Sequence, residues 1–455
     1  MATTIAPTPT SPAQPKHPYF VPEVRVLKLA DWPRGADEGE VIEGLAADVV
    51  RAEVTRVNTG AGQYAITLNN WFDTLPGDRK TDTSVSRGEV IVGQRPLFPR
   101  FKYNDFERLQ FGKRLRIDMR YWPPDPAAGA GQAWVPMISG AITDMKFTFS
   151  ATEGARLVVS GEDDLTVLQA KNPKKVHYSG KSEEEIVRDV LTRANATTQS
   201  QLRLAHSALT WPAFATDSAR ALAEAHLEGQ SYLEYLQKFA DRMDFEVFTE
   251  FAALEDASRG IELHFEPSRS RLPLDGTTYV LQREVNLLDF TPTIKVADQF
   301  TRVTVRGRHR IRTRPIRVKG DGTPDVLSDE LPSDGRAPQP QSGPRWRDEL
   351  YGPNDESRSN QTNLDDERAR VLAETILRRK AREFMVIRGT TIGLPLLRPG
   401  KHVEIKGMRP PFDGYYYVTQ TVHTYGADGL RTRFTARRPG MPHPPYGEGG
   451  VGGSA

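Results

Sequence analysis

The chain has 455 residues, of which 38% are hydrophobic and 26% charged, a composition typical of a globular protein with two or three domains. Its 61 basic and 59 acidic residues leave a net charge of +2, which excludes a strong overall attraction to nucleic acid or anionic lipid. The sequence contains no cysteine, which excludes disulfides, thiolate nucleophiles and cysteine metal sites.

We expect neither a membrane span in this sequence nor a secretion signal at its start. No apolar run in the sequence reaches the roughly 20 residues that cross a bilayer, and the first residues lack the basic-then-apolar order of a signal peptide. We therefore expect the protein to be made and assembled in the cytoplasm. Residues 1–22 are rich in proline and are predicted to be an extended arm.

Residues 23–170 are predicted to form a first β-domain. Short stretches of alternating polar and apolar residues, separated by Gly, Asp or Pro, predict strands at 23–29, 49–57, 64–70, 89–93, 113–122, 134–150 and 155–163. Their number and spacing are typical of a sandwich or a small antiparallel barrel.

The sequence changes to helical periodicity in residues 171–290, which are predicted to form an α+β domain. Ser182 with Glu185 and Ser231 with Glu234 have the spacing of capping boxes, and an apolar stripe follows each pair. A strand at 245–249 comes directly after the second helix, and 261–267 is predicted to pair with it.

The last part of the chain is predicted to be a second β-domain, made of residues 291–319 and 364–440. A helix near its middle has acids in its first turn and bases in its last. The stretch 320–363 is dotted with Pro, Gly, Ser, Asp and Asn, so we expect a flexible insertion. Residues 441–455 are predicted to be a flexible tail. The expected fold class is thus α+β, mainly β.

The common catalytic motifs are absent from this sequence or incomplete in it. The "SGKS" of 179–182 resembles the end of a phosphate-binding loop, but Lys175 occupies the position of the required glycine. The nine histidines are scattered, and each is expected at a surface or interface, with His423 on a strand face. No GxSxG occurs. The acidic clusters at 161–165 and 182–185 are explained by a solvated turn and a helix N-terminus. No catalytic residue, cofactor or metal site is predicted.

Arginine is the residue type that stands out locally. On a strand with period two, Arg306, Arg308, Arg310, Arg312 and Arg314 share one face. Such a row attracts anions, either nucleic acid or the carboxylates of a neighbouring subunit. The second is favoured, because the overall charge is balanced and no aromatic residues lie between the arginines. In 430–437, Arg431 and Arg433 alternate with apolar residues and are also expected to meet solvent or a neighbour.

The order of these features resembles the late control D family of tail hub proteins. These are the baseplate hubs of contractile phage tails and injection systems, and they are similar to the hub portion of type VI secretion spike proteins. The resemblance rests on "YAITLNNWFD" (64–73), on "FGKRLRIDMRYW" with "MISGAITDMKFTFSATEGARLVVSGEDDLTVL", on "GKSEEEIVRDVLTRAN" with "EGQSYLEYLQKFADRMDFEVF", and on the ending "GLPLLRPGKHVEIKG" with "FDGYYYV". It covers about residues 20–438, in order.

The resemblance implies a structural role and an architecture. Each subunit would contribute two small tube-type β-barrels, separated by the α+β domain, to a homotrimer that joins a hexameric inner tube to a trimeric central spike. The implied partners are the spike protein, the inner tube protein or a tube initiator, and other baseplate proteins. Two alternatives remain open from the residues: a peptidoglycan hydrolase built on a tail scaffold, with acidic catalytic residues, and a nucleic-acid binder with an OB-like barrel.

Overall fold

The structure is a computed structural model. It describes residues 21–30, 39–71, 101–122, 133–150, 152, 154–170, 176–178, 181–205, 225–227, 229–253, 260–271, 278–309, 316–331, 340–362 and 366–442. Most of the predicted arm and of the predicted tail therefore lies outside the described residues, as does the strand predicted at 89–93, while Val21 and Pro22 of the arm belong to the first strand.

The first part of the chain forms strands where the alternating pattern predicts them. Its elements are β1 (Val21–Lys28), β2 (Glu40–Val41), a short helix α1 (Leu45–Asp48), β3 (Val49–Val57), β4 (Gln63–Asn69), β5 (Arg114–Trp122), β6 (Val135–Ser150) and β7 (Gly154–Asp163). Along β4 and β7, buried and partly exposed residues alternate. Each strand therefore buries one face only.

The middle part is an α+β unit. It contains a 3-10 helix (Asp164–Gln169), β8 (Val176–Tyr178), α2 (Glu183–Thr198), β9 (Arg203–Leu204), β10 (Ala225–Leu227), α3 (Tyr232–Met243), β11 (Phe245–Phe251) and β12 (Ile261–Pro267). Both predicted capping boxes are present, and β11 pairs with β12 as predicted. The two helices and β11 bury their apolar faces in one shared core.

The last part begins with a 3-10 helix (Arg269–Arg271) and contains most of the remaining strands. These are β13 (Tyr279–Gln282), β14 (Leu287–Ile294), β15 (Arg302–His309), β16 (Ile316–Gly322), a 3-10 helix (Pro324–Asp329), β17 (Gln341–Ser342), α4 (Gly343–Tyr351), β18 (Asp355–Thr362), α5 (Asp366–Ala381), β19 (Met385–Ile392), β20 (His402–Lys406), β21 (Gly414–Gly426), β22 (Gly429–Arg438) and β23 (Gly440–Met441).

The stretch 320–363 is not the structureless insertion that its composition predicts. Strand β18 pairs in parallel with β15, and β16 pairs with the other side of β15. Helix α5 covers this small sheet with a core of Val303, Val305, Ala369, Leu372, Ala373 and Leu377. The prediction failed because the frequent Pro, Gly, Ser, Asp and Asn were interpreted as the composition of a loop. Pro344 instead begins α4, where a missing backbone N–H costs nothing.

The same sheet corrects the predicted content of the second β-domain. Strand β15 and helix α5 belong to the sheet β16-β15-β18 and its covering helix, and β15 makes no pairing with the main sheet among the described residues. The larger sheet of the second half is built instead from β13, β14 and β19 to β22.

One sheet of 13 strands runs through both halves of the molecule, in the order β14-β19-β22-β21-β3-β4-β7-β6-β5-β1-β2, with β20 and β13 branching from β21. Strand β21 belongs to both halves. Its first residues, Gly414–Tyr417, pair with β20, and its later residues, Gln420–Tyr425, pair with β3. The α+β, mainly β, fold class is confirmed, and the two halves are joined edge to edge.

The sheet of the second half is rolled. A flat arrangement of β14-β19-β22-β21-β20-β13 would put its end strands about 24 Å apart. The five steps from Gln282 to Leu287 span at most about 18 Å, and a bridge joins Arg283 to Leu287. Its apolar side encloses a core of its own. The first half encloses a second core, which Leu430 of β22 enters from the neighbouring half.

Candidate functional site

The outer face of the main sheet is a continuous surface that many strands build together. Eight successive strands, β14-β19-β22-β21-β3-β4-β7-β6, are antiparallel throughout. Their outward side chains are mostly small or polar, among them Thr55, Gln63, Ala65, Thr67, Val158, Ser160, Val422, Thr424 and Thr435. Such a surface is suited to contact with water or a polar partner, and not to a buried core.

The eight strands consist of two blocks of four with matching features. In the block β14-β19-β22-β21, Gly389 lies opposite Phe434, and in the block β3-β4-β7-β6, Gly161 lies opposite Tyr64. Each glycine leaves room for the ring of its partner, which a Cβ would strike. The last strand of each block also has a bulge, between Val418 and Gln420 in β21 and between Ile142 and Asp144 in β6. The glycine lies on the second strand of the first block and on the third strand of the other, so the two pairs are not at equivalent positions.

The two ends of this eight-strand run are free edges. Beyond Ile142, β6 pairs with β7 on one side and has no strand partner on the other among the described residues. Among the described residues, β14 pairs with no strand other than β19 and has one further bridge, from Leu287 to Arg283. Apolar side chains are exposed near both edges, with Phe149 56% exposed on β6 and Leu288 47% exposed on β14. Free edges with exposed apolar groups are typical of strand-pairing interfaces.

The two blocks carry depressions of opposite charge. One, of about 300 Å³, lies over Gly389 and is lined by the side chains of Arg388 and Arg433. The other, of about 270 Å³, lies over Gly161 and is lined by Glu53 and Glu162. The two depressions, which lie at different positions of their blocks, therefore differ in charge.

Arg431 and Arg433 lie on the exposed side of β22, where the sequence predicts them. Leu430, Thr432, Phe434 and Ala436 on the other side are buried, so the predicted alternation is confirmed. Arg433 Nη2 is 3.7 Å from Glu53 Oε2 across the junction of the two blocks. The interface role of both arginines stays a prediction.

The other predicted arginine row is only partly within the described residues. Arg306 is exposed on β15, and the backbone of Arg308 continues this strand opposite Arg317. Arg310, Arg312 and Arg314 lie outside the described residues. The contact of this row with a neighbouring subunit remains a prediction.

A buried charged seam, which sequence reasoning missed, joins the α+β unit to the main sheet. We use this name for the polar contacts of Glu246 and Glu250 on β11. Asn58 Nδ2 and Tyr417 Oη each donate to Glu246 at 2.6 Å, one from each half of the sheet. Burial raises the pKa of Glu246, although these donors and Arg437 oppose the shift.

Glu250 is held in the seam by two buried arginines. Arg56 Nη2 and Arg398 Nε lie 3.5 and 3.8 Å from its carboxylate. Burial raises the pKa of Glu250, but these two cations outweigh it and the pKa is lowered overall. Arg56 also donates to the carbonyls of Met137 and Thr249, and Arg398 donates to Pro136 O at 2.8 Å. One strand of the α+β unit is thus bound to both halves.

Helix α5 adds a second set of buried ion pairs. Arg382 donates to Asp244 at 2.5 and 2.6 Å and to Glu330 at 2.7 and 2.8 Å. Burial opposes ionisation of Glu330, but Arg382 and Arg378 lower its pKa to about 2. Arg368 joins Glu183 at the start of α2, 2.9 Å away. The signal that could have identified these pairs is the presence of charged residues at core-facing positions of amphipathic elements.

The acidic cluster at 161–165 is buried, and its interpretation as a solvated turn is wrong. Asp164 accepts two hydrogen bonds from Arg114, each of 2.8 Å. Asp163 accepts from the backbone N–H of Gly62 at 2.8 Å and of Leu165 at 3.1 Å, and from Thr249 Oγ1 at 3.0 Å. Burial raises the pKa of Asp163 to about 6. In the other cluster, Glu185 caps α2 as predicted.

His423 is a core residue and not the surface or interface residue that the sequence predicts. Its Nε2 donates to Leu397 O at 3.1 Å, and its Nδ1 accepts from Thr432 Oγ1 at 3.0 Å. Burial, and then Arg398, lower its pKa well below the usual value. The imidazole therefore serves as a neutral hydrogen-bonding link in the sheet.

The described part of the chain offers neither a metal centre nor a membrane-spanning helix. No group of three His, Cys, Asp or Glu side chains there is arranged to hold a metal ion. No helix there is long and apolar enough to cross a membrane.

The fold is similar to that of solved tail proteins. The 43 kDa tail protein of prophage MuSo2 from Shewanella oneidensis superposes with a TM-score of 0.56 and 12% identity, over 92% of this chain and 98% of that one. The tail protein from Neisseria meningitidis MC58 gives a TM-score of 0.55 and 11% identity, over 92% and 96%. The sequence matches no protein-family model and no curated protein. The expected tail-hub resemblance is confirmed at the level of the fold.

Proposed function

We propose that this chain, which has the fold of phage tail proteins, is a non-enzymatic baseplate hub of a contractile tail or injection system. Three copies would form a ring that joins a hexameric inner tube to a trimeric spike. The observation that carries the proposal is the pair of free edges at the ends of the eight-strand run. The likeness to the two tail proteins supports a tail component as its setting.

The junction between the two blocks gives a template for a junction between copies. Inside the chain, the part of β21 that follows its bulge pairs with β3, the first strand of the next block. The equivalent part of β6, after its own bulge, has a free edge, and so does β14, the first strand of the other block. Because the strands alternate in direction along the run, β14 of a second copy would meet β6 in antiparallel orientation.

Repeating this junction joins copies head to tail. Head-to-tail interfaces form rings when the rotation closes and filaments when it does not. Three copies contribute six blocks, which matches a sixfold tube, while the α+β units keep threefold symmetry for a spike. We infer that assembly with the tube protein or its initiator, the spike and other baseplate proteins takes place in the cytoplasm.

Light scattering on the purified chain tests the ring. The chain has a mass of 50.8 kDa, and we expect the particle to have three times this mass. Phe149→Asp on β6 and Leu288→Asp on β14 each place a charge at one edge and should each give smaller species. Leu350→Asp is the control, because Leu350 is similarly exposed, at 54%, but lies on α4. A stable monomer of the unmodified chain would contradict the proposal.

Mixing the two edge variants tests the head-to-tail geometry. Phe149→Asp damages β6 but leaves β14 intact, and Leu288→Asp does the reverse. One intact β6 and one intact β14 can therefore meet, and we expect a dimer of one copy of each variant. A two-fold interface between like edges would give no such mixed dimer, and that result would reject this geometry.

A further inference from the structure

The depression over Gly389 has an excess of basic side chains without close partners. Arg388 of β19, which lines the depression, is exposed and makes no ion pair or hydrogen bond with the described residues. Arg433 has only the 3.7 Å approach to Glu53. Thr291, Thr390, Thr435 and Gln420 add hydroxyl and amide groups to the walls. Guanidinium groups in such a setting are suited to bind carboxylates with paired hydrogen bonds.

The arginines have a spacing that an extended peptide can match. Arg388 lies opposite Thr435, and Arg433 lies opposite Thr390, so the two arginines are diagonal neighbours on one face. Diagonal neighbours on adjacent strands are about 7–8 Å apart. In an extended peptide, side chains two residues apart project to the same side at about 6.8 Å. Two carboxylates separated by one residue would therefore reach one arginine each.

We propose that this depression is a docking site for an extended acidic segment of a partner protein, with acidic residues at alternate positions. Its volume of about 300 Å³ accommodates a few side chains and not a folded domain. The depression crosses from β14 to β21, a width of about 14 Å, which corresponds to about four extended residues. The depression on the other block carries Glu53 and Glu162 and would repel the same segment.

A peptide fits this site better than nucleic acid does. Asp289 lines the depression beside the arginines and would repel a continuous phosphate backbone, while a peptide can place a neutral residue there. Bases of single-stranded nucleic acid need exposed aromatic faces to stack on. The only ring at the depression is that of Phe434, which is 3% exposed.

Fluorescence anisotropy with labelled peptides tests the proposal on the full chain, in whichever oligomer it forms. The probe is an extended Gly/Ser peptide that contains Glu-Gly-Glu, and the matched peptide contains Gln-Gly-Gln. We expect the acidic peptide to bind about tenfold more tightly at low salt, a preference that shrinks as the salt concentration rises. Equal binding of the two peptides would overturn the proposal.

Single substitutions of the two arginines test whether the acidic peptide binds at this depression. Arg388→Gln and Arg433→Gln should each remove most of the preference for the acidic peptide. Arg188→Gln is the control, since Arg188 is an exposed arginine on α2. Circular dichroism checks that all variants are folded. The site would be rejected if Arg388→Gln and Arg433→Gln both left the preference for the acidic peptide unchanged. Tighter binding of an oligo-dT strand than of the acidic peptide would also reject it. Because the assay does not require a ring, its result is separate from the result of the mass measurement.

Discussion

At the scale of residues, polar groups in the interior determine how the units are held together. Glu246 takes hydrogen bonds from both halves of the main sheet, and Arg382 binds carboxylates from two further segments. Breaking a buried pair by removing one partner leaves the other charge without compensation, which costs about 3–5 kcal/mol. These contacts therefore fix the α+β unit in one position.

Asp163 should make stability depend on pH. Its folded pKa, about 6, is raised from 3.8 by burial, while Arg56 and the N–H groups of Gly62 and Leu165 oppose the shift and Asp164 adds to it. The folded state thus holds the proton more tightly than the unfolded state. This stabilisation is complete below the unfolded pKa and is lost as the pH rises through the folded pKa.

The measurement compares the unmodified chain with Asp163→Asn. Urea unfolding between about pH 3 and about pH 7 should show the unmodified chain losing roughly 3 kcal/mol relative to the variant as the pH rises. Subtracting the unfolding free energy of the variant from that of the unmodified chain at each pH removes the contributions of the titrating groups that both share. A difference that stays flat, or grows with pH, would contradict the assignment.

The sequence could not identify these interior groups. Asp163 and Asp164 lie in a run of polar residues that also suits a turn, and Arg114, the partner of Asp164, is 50 positions away. The hydrogen-bond partners of His423 are likewise not its sequence neighbours. Leu397 and Thr432 are 26 and 9 positions away and lie beside it only in the folded chain. A local sequence pattern shows which residues are polar, but it does not show that a polar residue is buried against a partner from another strand.

At the scale of elements, aromatic–glycine pairs shape both blocks of the sheet. A Cβ on Gly389 would lie 2.5 Å from the ring of Phe434. Because Phe434 is buried in the core of the second half, the ring has little room to move away. The pair therefore fixes the local spacing of β19 and β22.

Gly389→Ala should destabilise the protein by about 1–3 kcal/mol, the usual cost of overpacking a core. Gly426→Ala is the matched control, since a Cβ there would have its nearest neighbour 3.9 Å away. Adding Phe434→Leu to Gly389→Ala should recover part of the loss, because the smaller side chain makes room for the methyl group. Chemical unfolding measures all three variants, and an unchanged stability in Gly389→Ala would show that the ring moves freely.

Elements with a clear hydrophobic period could be predicted from the sequence. A strand that forms only against a neighbouring strand could not. Strands β3 and β12 have the predicted bounds, and α2 and α3 begin at their predicted caps. Strand β18, with the sequence DESRSNQT, has no apolar alternation and forms against β15. A strand whose stability comes from its neighbour leaves no periodic signal in its own residues.

At the scale of the whole molecule, the two halves and the α+β unit are coupled. Strand β21 pairs with strands of both halves, and β11 is bound to both through the buried charged seam. The sequence predicted two separate β-domains, because the alternating pattern that indicates a strand does not reveal which strand is its partner. The junction of β21 with β3 joins residues more than 350 positions apart in the chain.

Calorimetry should therefore show one main unfolding transition for the unmodified chain. Arg382→Met leaves Asp244 and Glu330 buried without their shared cation and should shift or split this transition by weakening the attachment of the α+β unit. Arg345→Met removes an exposed pair with Asp325 and is the control, with an expected effect below about 1 kcal/mol. Several well-separated transitions in the unmodified chain would show that the units unfold independently.

The strand shared by the two halves also changes the thermodynamics of building a ring. Six separate blocks would lose translational and rotational freedom at every junction, an estimated cost of roughly 4–15 kcal/mol each time. In this chain every second junction, that of β21 with β3, forms within one polypeptide, where the covalent link holds the partners at a high effective concentration. Because the last junction of a ring closes within the assembly, a ring of three copies needs two encounters where six independent pieces need five, so it withstands dilution that would separate the six pieces.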